Sequence, residues 1–194
     1  MYVRDARNRD EAWLLDHIEA IGLDDVAFRS RDYVIAVDDE SDTRAGFGRL
    51  RFHPNPADPE HVELTSIGVL DGWRGQGVGA HVVERLVDTA EMEGFDEVYS
   101  LTSETEYLSQ FGFRGVERED LPEMLAERLA DKRESFDPDA IGMKVDVTRF
   151  RMPEGLREAF KSAAEAVGEP EVEETAEDFG IDAESATYKY DTGR

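Results

Sequence analysis

The 194-residue chain carries 46 acidic and 22 basic side chains, a formal charge of −24. That charge repels nucleic-acid phosphates and anionic lipid and argues against either as a partner. It has no cysteine, which removes disulfides, thiolate zinc sites and a cysteine nucleophile from consideration.

At 40% hydrophobic content, a chain of this length can bury the core of one domain and carry an appendage. The cations are nearly all arginine, with lysine only at Lys132, Lys144, Lys161 and Lys189, and the acids run along the whole chain. This is the surface expected of a halophilic protein, because self-repulsion is tolerable where the Debye length falls to about 3 Å, near 1 M salt. An ordinary acidic protein is the alternative. The charged opening Met1–Asp10 predicts no export signal, and no apolar run approaches the roughly 20 residues of a membrane span. A cytoplasmic location is the resulting expectation.

In chain order, Tyr2–Ala6 predicts a short strand. From Asn8 a helical pattern places Trp13, Leu14, His17, Ile18 and Ile21 on one face until Gly22 stops it, and Asp24–Phe28 suggests another helical turn. Asp32–Val37 and Ala45–His53 read as a hairpin around the polar turn Asp38–Arg44. A proline-rich loop, Pro54–Glu60, precedes a strand at Val62–Leu70. A glycine-rich loop then opens a helix with Val82, Val83, Leu86, Val87 and Ala90 at helical spacing, stopped by Gly94 before a strand at Glu97–Leu101. Ser103 with Glu106 three residues on predicts a capping box for a short helix through Gln110. Phe113–Val116 reads as a strand, Leu121–Glu134 as a helix and Ala140–Val147 as the closing strand. The compact domain is expected to cover residues 1–150. Residues 151–194 then supply an amphipathic helix, Met152–Val167, and the solvated acidic stretch Glu169–Asp178. The apolar stripe of that helix suits packing on its own domain or a homodimer contact.

The chemistry concentrates in Arg74-Gly75-Gln76-Gly77-Val78-Gly79, which follows a strand and opens a helix. Several backbone N–H groups can converge there on an anion, aided by about half a positive charge at the helix N-terminus. A structural tight turn would use the same glycines. A dinucleotide-binding start would need Gly-x-Gly-x-x-Gly, whereas the spacing here is Gly75-x-Gly77-x-Gly79.

The run resembles the acetyl-CoA motif of the GNAT acetyltransferase superfamily, Arg/Gln-x-x-Gly-x-Gly/Ala, with Arg74, Gly77 and Gly79 at its defining positions. Upstream, Glu63-Leu64-Thr65-Ser66-Ile67-Gly68-Val69 is similar to the family's fourth strand. Downstream, Tyr107 to Phe113 is similar to its aromatic-x-x-x-Gly-Phe helix end. The resemblance is sharp from Val62 to Val116 and leaves the last helix and tail uncovered. It implies an α/β fold with a mixed central sheet of about six or seven strands flanked by helices and splayed between strands 4 and 5. It also implies transfer of an acetyl group from acetyl-CoA to a primary amine in a ternary complex. Pantetheine would pair with backbone at Ile67 and Val69, beside Gly68, and the loop Arg74, Gly75, Gln76, Gly77, Val78 and Gly79 would hold the pyrophosphate. Glu63 stands where relatives often carry a general base, a surface glutamate being the alternative, and a Val69 N–H would stabilise the oxyanion. Tyr107 is the candidate acid, although the family's usual tyrosine position is occupied here by Leu108. Packing is Tyr107's alternative role, with solvent or Ser103 as other proton sources.

Leu101-Thr102-Ser103, the Phe-Gly-Phe helix end and Leu121-Pro122 leading to Ala140 and Met143 resemble the amino-acid N-acetyltransferase (N-acetylglutamate synthase-like) subgroup. The implied partner is a small-molecule amine or amino acid. A peptide or protein acetyltransferase and a non-catalytic acyl-CoA sensor are the alternatives. Arg49 and Arg51 could receive a substrate carboxylate or serve neighbouring acids. The four histidines show no ligand spacing, so no metal is expected. His61 is a candidate for the substrate mouth.

Overall fold

The computed structural model describes residues 1–54 and 60–164. The strands are β1 Tyr2–Asp5, β2 Tyr33–Val37, β3 Arg44–His53, β4 His61–Val69, β5 Glu97–Thr102, β6 Arg114–Val116 and β7 Ile141–Asp146. The helices are α1 Glu11–Ile21, α2 Val78–Met92, α3 Thr105–Ser109, α4 Glu123–Ser135 and α5 Glu154–Lys161. All seven strands form one sheet in the order β1-β2-β3-β4-β5-β7-β6. Every neighbouring pair is antiparallel except β4–β5, which is parallel. This is the mixed α/β sheet expected of the GNAT fold.

The alternation of side chains along each strand assigns them to two layers. Val34, Ala36, Leu50 and Val62 pack with Val82, Val83, Leu86 and Val87 of α2 in the largest apolar cluster. On the other face, Tyr33, Ile35, Val37 and Phe47 meet Leu14 and Ile18 of α1, and Tyr99 and Leu101 meet Leu125 and Leu129 of α4. β2 is buried along its whole length, which is why its sequence, Tyr-Val-Ile-Ala-Val, is apolar throughout. Between α1 and α4 the same face carries charged side chains from the middle of the sheet.

Four local expectations differ from the structure. Asp24–Phe28 forms no helix, because Asp24 Oδ1 accepts the Val26 N–H at 2.9 Å and so offers that donor a non-helical partner. Ser103 does not cap α3: its N–H donates to Asp137 and Glu104 is the N-cap residue, without a side-chain hydrogen bond. The strand expected from Phe113 begins at Arg114. The last helix starts after Pro153, which is suited to a helix entry, and runs to Lys161. Residues 165–167 of the expected helix, the acidic stretch Glu169–Asp178 and residues 55–59 of the proline-rich loop lie outside the described residues.

α2 approaches β3 closely because Gly48 has no side chain: a Cβ there would lie 2.5 Å from Val82 Cγ1 and 3.1 Å from Leu86 Cδ1. Gly48→Val should therefore lower the unfolding free energy by about 1–3 kcal/mol through overpacking, measured by urea denaturation.

Candidate active site

β4 and β5 run side by side but are paired only at Glu63 and Tyr99. Past that point β4 is bent by a bulge. Phe47 faces Gly68 and Arg49 faces Thr65, so Ser66 and Ile67 together stand against Gly48, and Ser66 takes the left-handed φ of 50°. An extra residue of this kind kinks and twists the strand that carries it. Ser66 is fixed there by donating its Oγ–H to Asp24 O at 2.6 Å.

The gap between the strands opens into a cavity of about 710 Å³ that runs from the glycine loop to the face bearing α1 and α4. Ile67, Gly68, Val69, Arg74, Gly75, Gly77, Val78, Gly79 and Tyr107 all line it, while Glu63 and Gln76 do not. Gly75 and Gly77 hold φ of 73° and 74°, the left-handed region that admits glycine without strain, and Gly77 is the N-cap residue of α2. Gly79 has a different reason to lack a side chain: a Cβ there would lie 2.7 Å from Tyr107 Oη. The Tyr107 ring packs edge-on against Phe111 at 5.2 Å. Burial raises its hydroxyl to about 12, so the group keeps its proton at neutral pH. Leu108 is 2% exposed and belongs to the large core.

The loop also has a neighbour. A Cβ on Gly77 would fall 2.2 Å from Leu156 O of α5. Gln76 turns away from the cavity, donating to Ala164 O at 2.9 Å and accepting the Ala164 N–H at 3.0 Å. Phe160 stacks on His81 at 3.8 Å, and Arg157 pairs with Glu84. α5 therefore rests on the first turns of α2, and Leu156 forms part of the cavity wall.

At the other end Asp24 and Lys132 line the cavity and belong to an ionic cluster. Glu63 is 0% exposed; its Oε2 accepts from His53 Nε2 at 2.8 Å and from Arg128 Nε at 2.5 Å. Burial alone would raise its pKa, but the hydrogen bond from His53 and the Arg128 guanidinium hold it at about 2. Arg128 also reaches Asp24, tying α4 to the segment after α1. Arg49 is spent on Val26 O, Ala27 O and Asp32. Arg51 has no partner among the described residues, and its Nη1 is buried without one. Lys132 lines the cavity and donates to Leu101 O at 2.6 Å. Burial lowers its pKa. His61 packs edge-on with Tyr99 at 5.7 Å and is not part of the cavity wall. Among the described residues no group of three or more His, Asp and Glu is arranged to hold a metal ion, and no helix is long and apolar enough to cross a membrane.

Sequence reasoning missed Asp24, Arg128, Lys132 and Leu156. Arg128 and Lys132 are four residues apart and share a helix face, and Lys132 is one of only four lysines. These were the available signals. Asp24 and Leu156 carried none, because their places depend on packing between distant segments.

Glu63 has a depressed folded-state pKa, so its contribution to stability is complete above its unfolded value of about 4.3 and is lost as pH falls towards about 2. The unfolding free energy should fall across that window. Glu63→Gln should flatten this part of the profile while lowering stability at pH 7, read from denaturation midpoints at successive pH values.

The model of the Acetyltransferase (GNAT) family matches residues 2–113. An uncharacterised N-acetyltransferase of Chlorobaculum tepidum is 30% identical over 64 residues, 33% of this chain and 41% of that protein. N-acetylglutamate synthase from Neisseria gonorrhoeae, solved with coenzyme A and N-acetyl-glutamate, superposes with a TM-score of 0.59 at 20% identity, covering 75% of this chain and 35% of its own. The Mycobacterium tuberculosis protein Rv2747, solved with CoA, gives 0.60 at 19% identity over 75% of this chain and 99% of its own. Arabidopsis thaliana Naa50, solved with a bisubstrate analogue, gives 0.53 at 13% over 75% and 97%. The chain thus spans less than half the length of the curated relative and of the synthase. These structures share its fold, and the sequence match over residues 2–113 settles its descent: the chain belongs to the GNAT family of acetyltransferases.

Proposed function

We propose that the chain transfers the acetyl group of acetyl-CoA to the primary amine of a small molecule or amino acid, by direct attack in a ternary complex. The observation that carries this reading is the single cavity joining the glycine loop to Asp24 and Lys132 of the ionic cluster through the β4–β5 gap. One continuous space thus serves donor and acceptor.

Arg74, Gly75, Gln76, Gly77, Val78 and Gly79 form the pyrophosphate loop, with backbone N–H groups of the α2 N-terminus facing the phosphates. The pantetheine arm lies along β4 beside Ile67, Gly68 and Val69, and the Val69 N–H polarises the thioester carbonyl. Tyr107 protonates the departing thiolate: its hydroxyl is protonated, lies by Gly79 and is open to the cavity.

Glu63 is the base expected from the sequence. A carboxylate held at about 2 between His53 and Arg128 is a weak proton acceptor. We assign it the positioning of Arg128, with proton removal left to water. An α-amino group, with a pKa of about 7.7–8.0 against about 10.4 for lysine, needs the least help and suits such a site. Arg51, which has no partner among the described residues, and cavity-lining Lys132 offer positive charge to an acceptor carboxylate. The Arg128–Asp24 tie across the acceptor end favours a small acceptor over a peptide.

Thiol release from acetyl-CoA in high-salt buffer, with pools of free amino acids, polyamines and basic peptides, tests this directly. Release that depends on amino acids is expected. Release only with basic peptides would replace the acceptor assignment, and tight CoA binding with no release would identify a sensor. Tyr107→Phe should lower kcat about 10²–10⁴-fold with little change in CoA affinity. An unchanged kcat would return Tyr107 to a packing role.

A further inference from the structure

The amines of this chain differ sharply in their surroundings. The Met1 amino group pairs with Asp39, Lys144 with Glu97 and Lys161 with Glu158. Each of these has a carboxylate within salt-bridge distance. Lys132 is the exception among the described residues: its Nζ donates to a neutral acceptor, Leu101 O at 2.6 Å, inside the cavity.

Leu101 lies two residues beyond Tyr99, the last β5 residue paired with β4. One residue before it, Ser100 Oγ donates across the strands to Leu64 O at 2.9 Å. Lys132 Nζ therefore stands on the strand gap itself, at the end where an acyl chain entering from the glycine loop arrives. Nearby Arg128 disfavours a second cation, while Glu63, Asp24 and Asp137 favour it; burial outweighs them, and the neutral, nucleophilic amine becomes more accessible.

We propose that Lys132 is a self-acetylation site, modified by acetyl-CoA bound in this cavity when no acceptor is present. The inference rests on the donor-site reading above. The Nζ lone pair attacks the thioester carbonyl carbon, and the C–S bond breaks with its electron pair on sulfur. The proton lost from nitrogen ends on the thiolate, so the products are N-acetyl-lysine and CoA thiol. The amide is not a donor for further transfer. It also removes a positive charge and fills space at the acceptor end, so the modification silences the enzyme that makes it, and a bound acceptor protects against it.

The test is incubation of the full chain with acetyl-CoA at mildly alkaline pH without acceptor, followed by intact mass and peptide mapping, with CoA titrated calorimetrically in parallel. One acetyl group at Lys132 is expected, at a rate that saturates with acetyl-CoA and is suppressed by excess CoA. Lys132→Arg should lose that group and leave the other lysines unchanged. If the variant fails to fold, the mapped site in the parent protein still decides. CoA binding with Lys132 unmodified overturns the proposal. So does acetylation spread over Lys144, Lys161 and Lys189 at a rate linear in acetyl-CoA. Absence of CoA binding overturns the donor reading itself.

Discussion

The parting of β4 from β5 after a single paired position is the constraint on which the rest of the molecule depends. A parallel pair gains stability from continued hydrogen bonding, so strands that separate in mid-sheet must be held apart by something else. Here the bulge at Ser66 turns β4 away, and its geometry is fixed from outside the sheet by the Asp24 carbonyl. Asp24 in turn is tied by Arg128 to α4, and Arg128 to Glu63 at the point of parting. The buried ions on this face thus do geometric work: they keep the opening at a set width. Replacing such a group with apolar side chains could match its stability but would let the gap close.

The charge of the chain makes the local electrostatics more telling. A molecule with a formal charge of −24 faces a general penalty for taking up an anionic ligand, and free side-chain cations are scarce near the glycine loop. Arg74 is directed to Asp71 and Val69 O. Backbone N–H groups are the remaining source of positive potential, and unlike side chains they cannot be neutralised by neighbouring acids. At the opposite end the arrangement is reversed, with Arg51, Arg128 and Lys132 gathered from two elements onto a polar floor.

What the sequence conveyed follows the range of the forces involved. The order of strands and helices was legible because alternation and helical spacing are local, and Arg74–Gly79 was legible because backbone conformation at Gly75 and Gly77 is a local demand. The bulge was not, since Ser66 has no intrinsic preference for positive φ and is held there by a residue 42 positions away. Ser103 and Glu106 had the form of a capping box, yet Asp137 from beyond α4 took the Ser103 N–H. Glu63 was identifiable as a residue of interest, but its low pKa depends on His53 and on Arg128, 65 residues distant. Arg49 and Arg51 looked alike in sequence and proved different, the first bound through both Nη atoms and the second without a partner among the described residues.

The seat of α5 on the glycine loop links two parts of the chain that sequence reasoning treated separately. Gly77 touches the backbone of α5 on one side and lines the cavity on the other, so a ligand at the loop and the docked helix share one surface. By thermodynamic reciprocity, whatever factor the docked helix imposes on ligand affinity, the ligand imposes on helix docking. The segment after Phe150 is therefore a reporter: any label that senses undocking of α5 also reads the occupancy of the loop beneath it.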